Sequence, residues 1–298
     1  MTKPHIPPDL QELKPKRFNP EKQTWIQSTD LVSDTNISEL TLVTYNIWFS
    51  DYHRQQRHEA ILKLIQYCDA DAIALQEVTP TSLKLILEQD WVRKNYYSSD
   101  TTGATVNPYG VLLLSKLPIH RLFFCDLISQ MSRKFLCAKL QLNGQNFNIA
   151  TVHLESKKKF APIRAIQLAD IFPLLEHADH AVLMGDFNFC SSWQDENRNI
   201  DCRYQDMWAV LRGDEPGYTE DTDINVMRLQ QKQKHKKVRF DRILLRSASP
   251  GWQPESIERL GLAPISPDCP HVFPSDHFGL VGHLVQKGRG QKTEGKRL

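Results

Sequence analysis

Short apolar runs separated by polar turns predict a chain rich in β-strands. Nine runs have the length of strands and are rich in Val, Ile, Leu and aromatic residues. They are residues 40–48, 71–78, 110–116, 120–128, 135–142, 146–154, 180–187, 238–245 and 278–285. An Asn-Gly pair separates the fifth run from the sixth, and this pair is typical of a two-residue hairpin turn. We therefore expect residues 135–154 to form a β-hairpin.

Three segments carry a helical period instead. Residues 57–68 place their apolar side chains at i, i+3, i+4 and i+7. Residues 80–89 and 160–176 also fit helices, and Pro173 predicts a bend in the second of these two. Many strands with few helices, in a chain with no internal repeat, favour a layered α/β sandwich formed as one domain.

The two ends of the chain differ in composition from the middle. Residues 1 to 36 are rich in Pro, Lys and polar side chains, and they predict a loose N-terminal extension. Residues 287–298 are basic and contain Gly, which predicts a flexible tail. Between them we expect one folded domain over residues 37–286.

The composition excludes several classes of protein. Hydrophobic residues make up 40% of the 298 positions and charged residues 24%, so a sizeable core is expected and wholesale disorder is not. The net charge of +2 is too balanced for a histone-like nucleic-acid coat. The six cysteines contain no C-x-x-C pair, which argues against a zinc ribbon and a disulfide scaffold. The sequence shows no apolar leader or membrane-length run, so we expect a soluble, intracellular protein without a membrane partner.

Unusual polar residues mark the ends of the apolar runs. They are Asn46, Glu77, His153, Asp186, Asn188, Asp241, Asp276 and His277. Carboxylates beside apolar strands are costly to bury unless they are paired, hydrogen-bonded or bound to a metal ion. Taken singly, each residue has an ordinary explanation, such as a solvated carboxylate, a turn residue or a half-buried histidine. Their coincidence at strand ends predicts that they meet at one edge of the sandwich, where α/β sheets tend to bind ligands.

The chemistry of this set favours metal-assisted hydrolysis of a phosphodiester. A carboxylate-rich cluster without cysteine suits a hard cation such as Mg²⁺ or Mn²⁺. Asn and His side chains can hold phosphate oxygens as charge develops on them. The sequence has no H-E-x-x-H pattern for zinc, no glycine-rich nucleotide loop and no serine-hydrolase elbow.

Six blocks of the sequence resemble the endonuclease/exonuclease/phosphatase superfamily. In chain order they read TYNIW, LQEV, TVHLES, GDFN, RFDRI and PSDHFGL. Within this superfamily, the LQEV, HLES, RFDRI and PSDH-x-GL blocks and the segment GYTEDTDINVM most resemble the tyrosyl-DNA phosphodiesterase 2 subfamily. The resemblance covers about residues 40–286.

The resemblance implies a four-layer α/β/β/α sandwich, in which two packed mixed sheets lie between outer helices. It also implies a phosphodiesterase that depends on Mg²⁺ or Mn²⁺ and hydrolyses 5′-phosphotyrosyl bonds of protein–DNA adducts, leaving a 5′-phosphate. The expected partner is a single-stranded DNA end that carries the 5′ adduct, and the expected state is a monomer. In a eukaryote such an enzyme would act in the nucleus or cytoplasm, and in a bacterium in the cytoplasm.

Roles for the polar residues follow from the same resemblance. Glu77 would be the main metal ligand, with Asn46 close to the metal and to the scissile phosphate. Asp186 would orient and deprotonate the attacking water. Asn188 and His153 would hold phosphate oxygens.

The Asp276–His277 pair would complete this site. His277 would stabilise the charge of the transition state or protonate the leaving group, with Asp276 and Asp241 orienting the groups around it. The candidate substrate-binding residues are Arg133, Lys134, Lys157 and Trp48. Core packing is the alternative role for Trp48, and solvated surface is the alternative for the cations. Further candidates for stacking are Phe49 and Tyr96 or Tyr97.

Three positions depart from the pattern of relatives that act on protein–DNA ends. Such relatives usually have Trp where this chain has Tyr45, often Arg where it has Cys190, and an aromatic residue where it has Glu220. The last two departures remove a phosphate-binding cation and a stacking surface, and a glutamate near the groove would repel phosphate. They leave open an RNA-directed or deadenylase-like nuclease, or a phosphatase of small phosphoesters, in the same superfamily. A catalytically inactive binding scaffold is the alternative of another class.

Overall fold

Two large β-sheets with helices on their outer faces form the fold in the computed structural model, which describes residues 8–28, 34–249 and 251–286. The strands are β1 (Gln11–Leu13), β2 (Lys16–Asn19), β3 (Thr24–Gln27), β4 (Glu39–Asn46), β5 (Ala72–Val78), β6 (Tyr97–Ser98), β7 (Gly110–Ser115), β8 (Arg121–Asp126), β9 (Lys134–Leu142), β10 (Gln145–His153), β11 (His180–Asp186), β12 (Gln205–Asp206), β13 (Glu220–Asp221), β14 (Lys237–Val238), β15 (Asp241–Ser247), β16 (Trp252–Leu260) and β17 (Gly279–Gln286). The helices are α1 (Arg54–Cys68), α2 (Pro80–Leu87), α3 (Asp90–Asn95), α4 (Ala161–Leu175), α5 (Gln194–Asn197), α6 (Met207–Arg212), α7 (Val226–Lys232) and a 3₁₀ turn at Lys158–Phe160.

Both large sheets are mixed. Sheet I has the strand order β16-β17-β4-β5-β7-β6-β2-β3, and sheet II has the order β1-β8-β9-β10-β11-β15-β12. In sheet I the strands β4 and β5 are parallel, and in sheet II the strands β10 and β11 are parallel. The other pairings within the two sheets are antiparallel among the strands described. The short strands β13 and β14 pair with each other outside these sheets.

Alternation along the strands divides the apolar side chains between the two faces of each sheet. In β4, Leu42 belongs to the core between the sheets together with Ile149 of β10. Its neighbour Val43 belongs to the outer core together with Ile61 of α1. On the far side, α4 covers sheet II with an apolar face that includes Leu168. The order helix, sheet, sheet, helix confirms the predicted four-layer sandwich.

Eight of the nine predicted strands and the three predicted helices are present, with small shifts at their ends. The predicted strand 238–245 is divided, because Val238 pairs with β13 while the sheet II strand β15 begins at Asp241. The predicted hairpin is formed by β9 and β10, with Leu142 opposite Gln145. The turn residues Asn143 and Gly144 have φ of 52° and 76°, and positive φ at both positions defines the type I′ turn that this dipeptide favours. Pro173 lies inside α4, which ends at Leu175. A membrane-spanning helix is absent from the described residues, since none combines the required length with an apolar composition.

The expectation of a loose N-terminal extension is wrong for the described part of that segment. β1 pairs with β8 at the edge of sheet II, whereas β2 pairs with β6 in sheet I and carries β3 at its side. A strand at a sheet edge needs main-chain hydrogen bonds rather than an apolar sequence, and composition therefore did not reveal these strands. The predicted flexible tail at residues 287–298 lies outside the described residues, as do residues 1–7 and 29–33.

The sheet topology brings the predicted polar residues together. The carboxyl ends of the two parallel pairs carry Asn46, Glu77, His153 and Asp186. β15 runs antiparallel to β11, so its first residue Asp241 lies directly opposite Asp186. β17 runs antiparallel to β4, so the residues that precede it, including His277, lie near the carboxyl end of β4. All of these residues therefore meet at one edge of the sandwich.

Candidate active site

Asp186, at the end of β11, is the centre of a buried hydrogen-bond network. Its Oδ2 accepts hydrogen bonds from Asn46 Nδ2 at 3.0 Å and from His153 Nε2 at 3.3 Å. Its Oδ1 accepts the Asn188 N–H at 2.8 Å. Burial by itself raises the pKa of Asp186, but His277 and His153 bring this pKa below the usual value of a carboxyl group. Asp186 is therefore ionised at neutral pH, and its low pKa suits the orientation of a water molecule more than the removal of its proton.

Arg133 fixes the protonation state of His153. Arg133 Nη1 lies 2.8 Å from His153 Nδ1, and because a guanidinium can only donate, Nδ1 carries no proton. The proton is therefore on Nε2, which points towards Asp186 and lies 3.9 Å from Glu77 Oε1. Burial and the charge of Arg133 lower the pKa of His153 to about 4. His153 is thus a neutral donor in this cluster.

His277 and Asp241 form a buried pair. His277 Nδ1 donates to Asp241 Oδ2 at 2.8 Å, while His277 Nε2 lies 3.9 Å from Asp186 Oδ2. Burial alone would lower the pKa of His277, but Asp241 and Asp186 raise it well above its usual value. Burial raises the pKa of Asp241 to about 6. The Asp241 N–H donates to Thr219 Oγ1 at 3.1 Å, which fixes the start of β15 under the histidine.

Asp276 faces a different direction from its neighbour His277. Its Oδ2 lies 3.7 Å from Arg228 Nε, and its side chain lines the open pocket described below. Burial raises the pKa of Asp276 to about 6. The contact that orients His277 comes from Asp241, whereas Asp276 contacts the arginine.

Glu77 presents a carboxylate to the pocket. It lies at an irregularity in the pairing of β5 with β7, and its φ of 60° turns the side chain out of the strand. Its Oε2 accepts the Phe49 N–H at 3.0 Å, and its Oε1 lies 3.4 Å from Asn46 Nδ2. Burial raises the pKa of Glu77. A carboxylate has about four lone-pair sites, so Glu77 retains acceptor capacity for a cation.

The donor set fits a divalent cation. Asp186, Asp241 and His277 bring polar atoms within 4.8 Å of one another, and the Glu77 carboxylate lies 3.9 Å from His153 at the same edge. His277 donates from Nδ1 to Asp241 and has a raised pKa, so its protonated ring has no lone pair for a cation, and the carboxylates are the available ligands. A set of carboxylate oxygens suits a hard cation better than a thiophilic metal. Asn46 turns its Nδ2 towards the carboxylates, while its Oδ1 accepts the Trp48 N–H at 3.1 Å. Ligation through the Asn46 oxygen would require this amide to turn and to lose that hydrogen bond.

A pocket of about 460 Å³ opens beside these groups. It is lined by Trp48, Phe49, Glu77, Ser156, Lys157, Lys158, Asn188, Trp193, Glu220, Arg228, Lys232, Lys236, Phe240 and Asp276. Four lining residues that are not glycine have positive φ, namely Trp48 at 56°, Glu77 at 60°, Lys157 at 68° and Asn188 at 56°. Backbone in this region is strained for such residues, and strain of this kind clusters at functional sites.

Two of the four predicted substrate-binding residues line the pocket, and two do not. Lys157 and Trp48 line the pocket, although Trp48 is mostly buried and packs under the guanidinium of Arg57 at 4.5 Å. Arg133 lies behind His153, where its Nη2 donates to Ser156 Oγ at 2.6 Å.

Lys134 is not among the residues that line the pocket. It lies opposite Asp126 in the β8–β9 pairing and contacts that carboxylate at 3.3 Å. The stacking candidates Tyr96 and Tyr97 are buried in the two cores, so only Phe49, which stacks on Tyr109 at 4.9 Å, remains exposed.

The positions that depart from the family pattern are all buried. Tyr45 belongs to the core under α1, and Cys190 packs with Val238 and Phe240. Glu220 accepts hydrogen bonds from cationic side chains, so its charge is paired within the protein. Sequence reasoning missed this arrangement, because nothing in the segment around Glu220 indicates which cations fold against it.

Arg57 of α1 was also missed, and it holds the loops around the site. It is fully buried and donates to the main-chain oxygens of Ile47, Trp48, Ser50, Tyr52 and Pro274. These bonds tie the loop after β4 to the loop before β17. Sequence reasoning treated α1 as an amphipathic helix and found no signal for a buried arginine.

Comparisons with known proteins identify the family. A model described as "Endonuclease/Exonuclease/phosphatase family" matches residues 43–277, which include all eight of the polar residues predicted at strand ends. The chain belongs to the endonuclease/exonuclease/phosphatase family. Its sheet topology, with the polar residues at one edge of two packed sheets, is therefore that of a family member.

Two similar curated proteins are both named tyrosyl-DNA phosphodiesterase 2. Over 254 residues the chain is 27% identical to tyrosyl-DNA phosphodiesterase 2 of Rattus norvegicus, a match that covers 82% of this chain and 66% of the rat protein. It is 27% identical over 271 residues to tyrosyl-DNA phosphodiesterase 2 of Homo sapiens, covering 87% of this chain and 72% of that protein. The aligned part thus spans just under two thirds of the rat relative.

A solved structure supports the fold. Danio rerio TDP2 complexed with a single-strand DNA product is similar to this chain with a TM-score of 0.69 and 23% identity. The similarity covers 83% of this chain and 99% of that chain. At this identity the similarity establishes the sandwich and its topology.

Proposed function

We propose that this protein is a divalent-metal-dependent phosphodiesterase that hydrolyses 5′-phosphotyrosyl bonds at DNA ends and leaves a 5′-phosphate. The observation that carries the proposal is the convergence of Asp186, His153, Asn188 and the Asp241–His277 pair beside a cation-lined pocket. Phosphoryl transfer needs little covalent chemistry from the protein, so positioning and electrostatic stabilisation by such a cluster are sufficient.

Each member of the cluster has a task that its environment suits. Asp186 is ionised and would orient the attacking water against the phosphorus. His153, as a neutral donor, and Asn188, from the strained turn after β11, would hold phosphate oxygens. His277, with a raised pKa, would face the leaving oxygen of tyrosine as an imidazolium. A phenol has a pKa near 10, so this charge would stabilise or protonate the departing phenolate at neutral pH.

Glu77 is the residue that we propose as the main ligand of Mg²⁺ or Mn²⁺. Its carboxylate faces the pocket and is close to Asn46, His153 and, through them, Asp186. When bound, such a cation supplies electrostatic stabilisation to the phosphoryl oxygens and lowers the pKa of water.

DNA as the substrate is supported by two observations. The curated relatives are named for tyrosyl-DNA phosphodiesterase activity, and the Danio rerio structure contains a single-strand DNA product. In this chain the pocket is lined by Lys157, Lys158, Arg228, Lys232 and Lys236, which match the charge of a phosphate backbone. The proposed partner is therefore a single-stranded DNA end, bound by a monomer.

The test is cleavage of a labelled single-stranded oligonucleotide that carries a 5′-phosphotyrosine. Reactions with Mg²⁺, with Mn²⁺ and with chelator would be compared for the wild type, for Glu77→Ala and for Glu88→Ala. Glu88 is an exposed carboxylate at the end of α2 and serves as the matched control. We expect metal-dependent release of a 5′-phosphate end by the wild type and Glu88→Ala, and its loss in Glu77→Ala.

Parallel substrates separate the alternatives. Turnover of plain RNA or of a small phosphoester, without release of tyrosine, would contradict the proposal. It would indicate a different hydrolase activity within the same family. Cleavage of a 3′-tyrosyl control with equal efficiency would contradict the 5′ specificity. The absence of turnover on every substrate would favour a binding scaffold.

A further inference from the structure

A buried carboxylate holds two cations beside the catalytic cluster. Glu220 Oε2 accepts a hydrogen bond from Arg228 Nε at 3.1 Å and lies 3.0 Å from Arg228 Nη2, and its Oε1 accepts a hydrogen bond from Lys236 Nζ at 2.6 Å. Lys236 Nζ also lies 4.3 Å from the centre of the Phe240 ring. Long cationic side chains lose rotamer freedom when they bind a ligand, and these contacts already restrict both of them in the protein.

The same two cations face the substrate pocket. Arg228 and Lys236 both line it, and their side chains are 13% and 29% exposed. The contacts with Glu220 use Nε and Nη2 of Arg228, so the remaining guanidinium nitrogen and the other ammonium hydrogens of Lys236 can donate to a ligand. Glu220 is paired with both cations, which removes the expected repulsion of phosphate at this position.

The pair lies next to the groups that face the scissile bond. Glu220 Oε1 is 3.6 Å from His277 Nε2, and Arg228 Nε is 3.7 Å from Asp276 Oδ2. Cys190 is buried against Val238 and Phe240 and adds no positive charge to this part of the pocket. Arg228 and Lys236 supply two positive charges in the pocket lining beside Asp276 and the Glu220–His277 contact.

We propose that Arg228 and Lys236, held by Glu220, form a second phosphate subsite that binds the backbone phosphate next to the scissile one. The inference rests on the proposed function and specifies its substrate class. The substrate is a polynucleotide end with at least two phosphates, and a small phosphoester cannot use this subsite. Glu220 is a positioning residue, and the two cations contact the substrate.

The test measures binding without turnover, in the presence of chelator. The probes are a short 5′-phosphorylated oligothymidine and thymidine 5′-monophosphate, measured by fluorescence anisotropy and by competition. The variants are Lys236→Gln and the triple variant Glu220→Gln, Arg228→Gln, Lys236→Gln. The triple variant removes the buried charge together with its partners, so that no unpaired carboxylate remains. Lys234→Gln is the matched control, because this exposed lysine lies on the same segment outside the pocket lining.

We expect the triple variant to lower the affinity for the oligonucleotide relative to the mononucleotide by about tenfold or more. The slope of log affinity against log salt concentration should fall by about 1. Lys236→Gln should show part of both effects, whereas Lys234→Gln should match the wild type. Because Lys236 is partly exposed, Lys236→Gln tests the inference even if the triple variant does not fold.

Release of tyrosine by the wild type is measured in parallel and keeps the two proposals apart. An unchanged affinity ratio and salt slope in Lys236→Gln and the triple variant would overturn the second subsite, whether or not the wild type releases tyrosine. A fall in both quantities would support the subsite even if no tyrosine were released, and only the proposed function would then fail.

Discussion

Asp241 and Asp276 were given the same role beside His277, but only Asp241 contacts the histidine ring. Asp241 accepts the Nδ1 proton at 2.8 Å, whereas Asp276 points towards Arg228. The family resemblance implied that both aspartates orient the groups around His277. Adjacency of Asp276 to His277 in the chain does not reveal the direction of a side chain in a loop. The residue types of the site were predictable from polar residues at strand ends. Their pairing depends on contacts between distant strands.

Asp241→Asn should lower kcat by about 100-fold or more, because His277 loses the carboxylate that orients it. Asp241 and Asp186 raise the pKa of His277, so its protonated form persists up to that raised pKa. Removal of Asp241 lowers this pKa, and the alkaline limb of the pH profile of kcat should therefore move to lower pH. Asp276→Asn is the neighbouring control and should lower kcat less than tenfold. Equal losses in the two variants would contradict the assignment.

The apolar sequence of β11 predicted the strand but not its close approach to β10. The run 180–187 was predicted as a strand, and a turn was one ordinary explanation for the polar residues at its end. In the structure Gly185 lies within the strand with φ of 143°, and a Cβ there would lie 2.0 Å from the Val152 oxygen. The close approach of β10 and β11 that sets His153 beside Asp186 therefore requires glycine. This requirement arises from a parallel partner that the local sequence does not specify.

Gly185→Ala should destabilise the protein by about 3 kcal/mol or more, since either the backbone of β10 or that of β11 must move. Gly144→Ala is the control in the hairpin turn, where φ is 76° and no atom lies within 4 Å of the added Cβ. Its expected cost is about 1 kcal/mol, from the left-handed backbone alone. Urea denaturation measures both. A smaller loss for Gly185→Ala than for Gly144→Ala would contradict the close approach.

Strand β16 was missed for a related reason. Only Trp252 and Ile257 are buried in it, and an irregularity in its pairing with β17 at Pro254 and Ser256 breaks the alternation expected of a strand. Edge strands are held by main-chain bonds to one neighbour, so their sequences can remain polar.

At the scale of the whole molecule, the two sheets and their helical covers could be predicted, whereas the extent of the sheets could not. The central strands are apolar because they are buried on both faces, and their apolar runs are therefore the strongest strand signal in the sequence. The N-terminal residues 11–27 add strands to the edges of both sheets with a polar, proline-containing sequence. The partners of β1 and β2 lie about 80 to 113 residues away in the chain, and such pairing leaves no local signal.

Deletion of residues 1–28 should lower the free energy of unfolding by about 3 kcal/mol. It removes β1, β2 and β3 together with the contact between Phe18 and Trp25, whose ring centroids lie 5.7 Å apart. None of the described residues in this segment lines the active-site pocket, so kcat of the folded enzyme should change less than threefold. Thermal unfolding and a turnover assay at low temperature measure the two quantities. Unchanged stability would contradict the role of the segment in the sheets.

The measurement that tests the central claim most directly is hydrolysis of the 5′-phosphotyrosyl oligonucleotide in H₂¹⁸O, followed by mass spectrometry of both products. If water oriented at Asp186 attacks the phosphorus, one ¹⁸O must appear in the 5′-phosphate of the DNA and none in the released tyrosine. Asp186→Asn, which preserves the shape of the side chain, should lower the rate by about 1000-fold. Label in the tyrosine, or an undiminished rate in Asp186→Asn, would contradict the account.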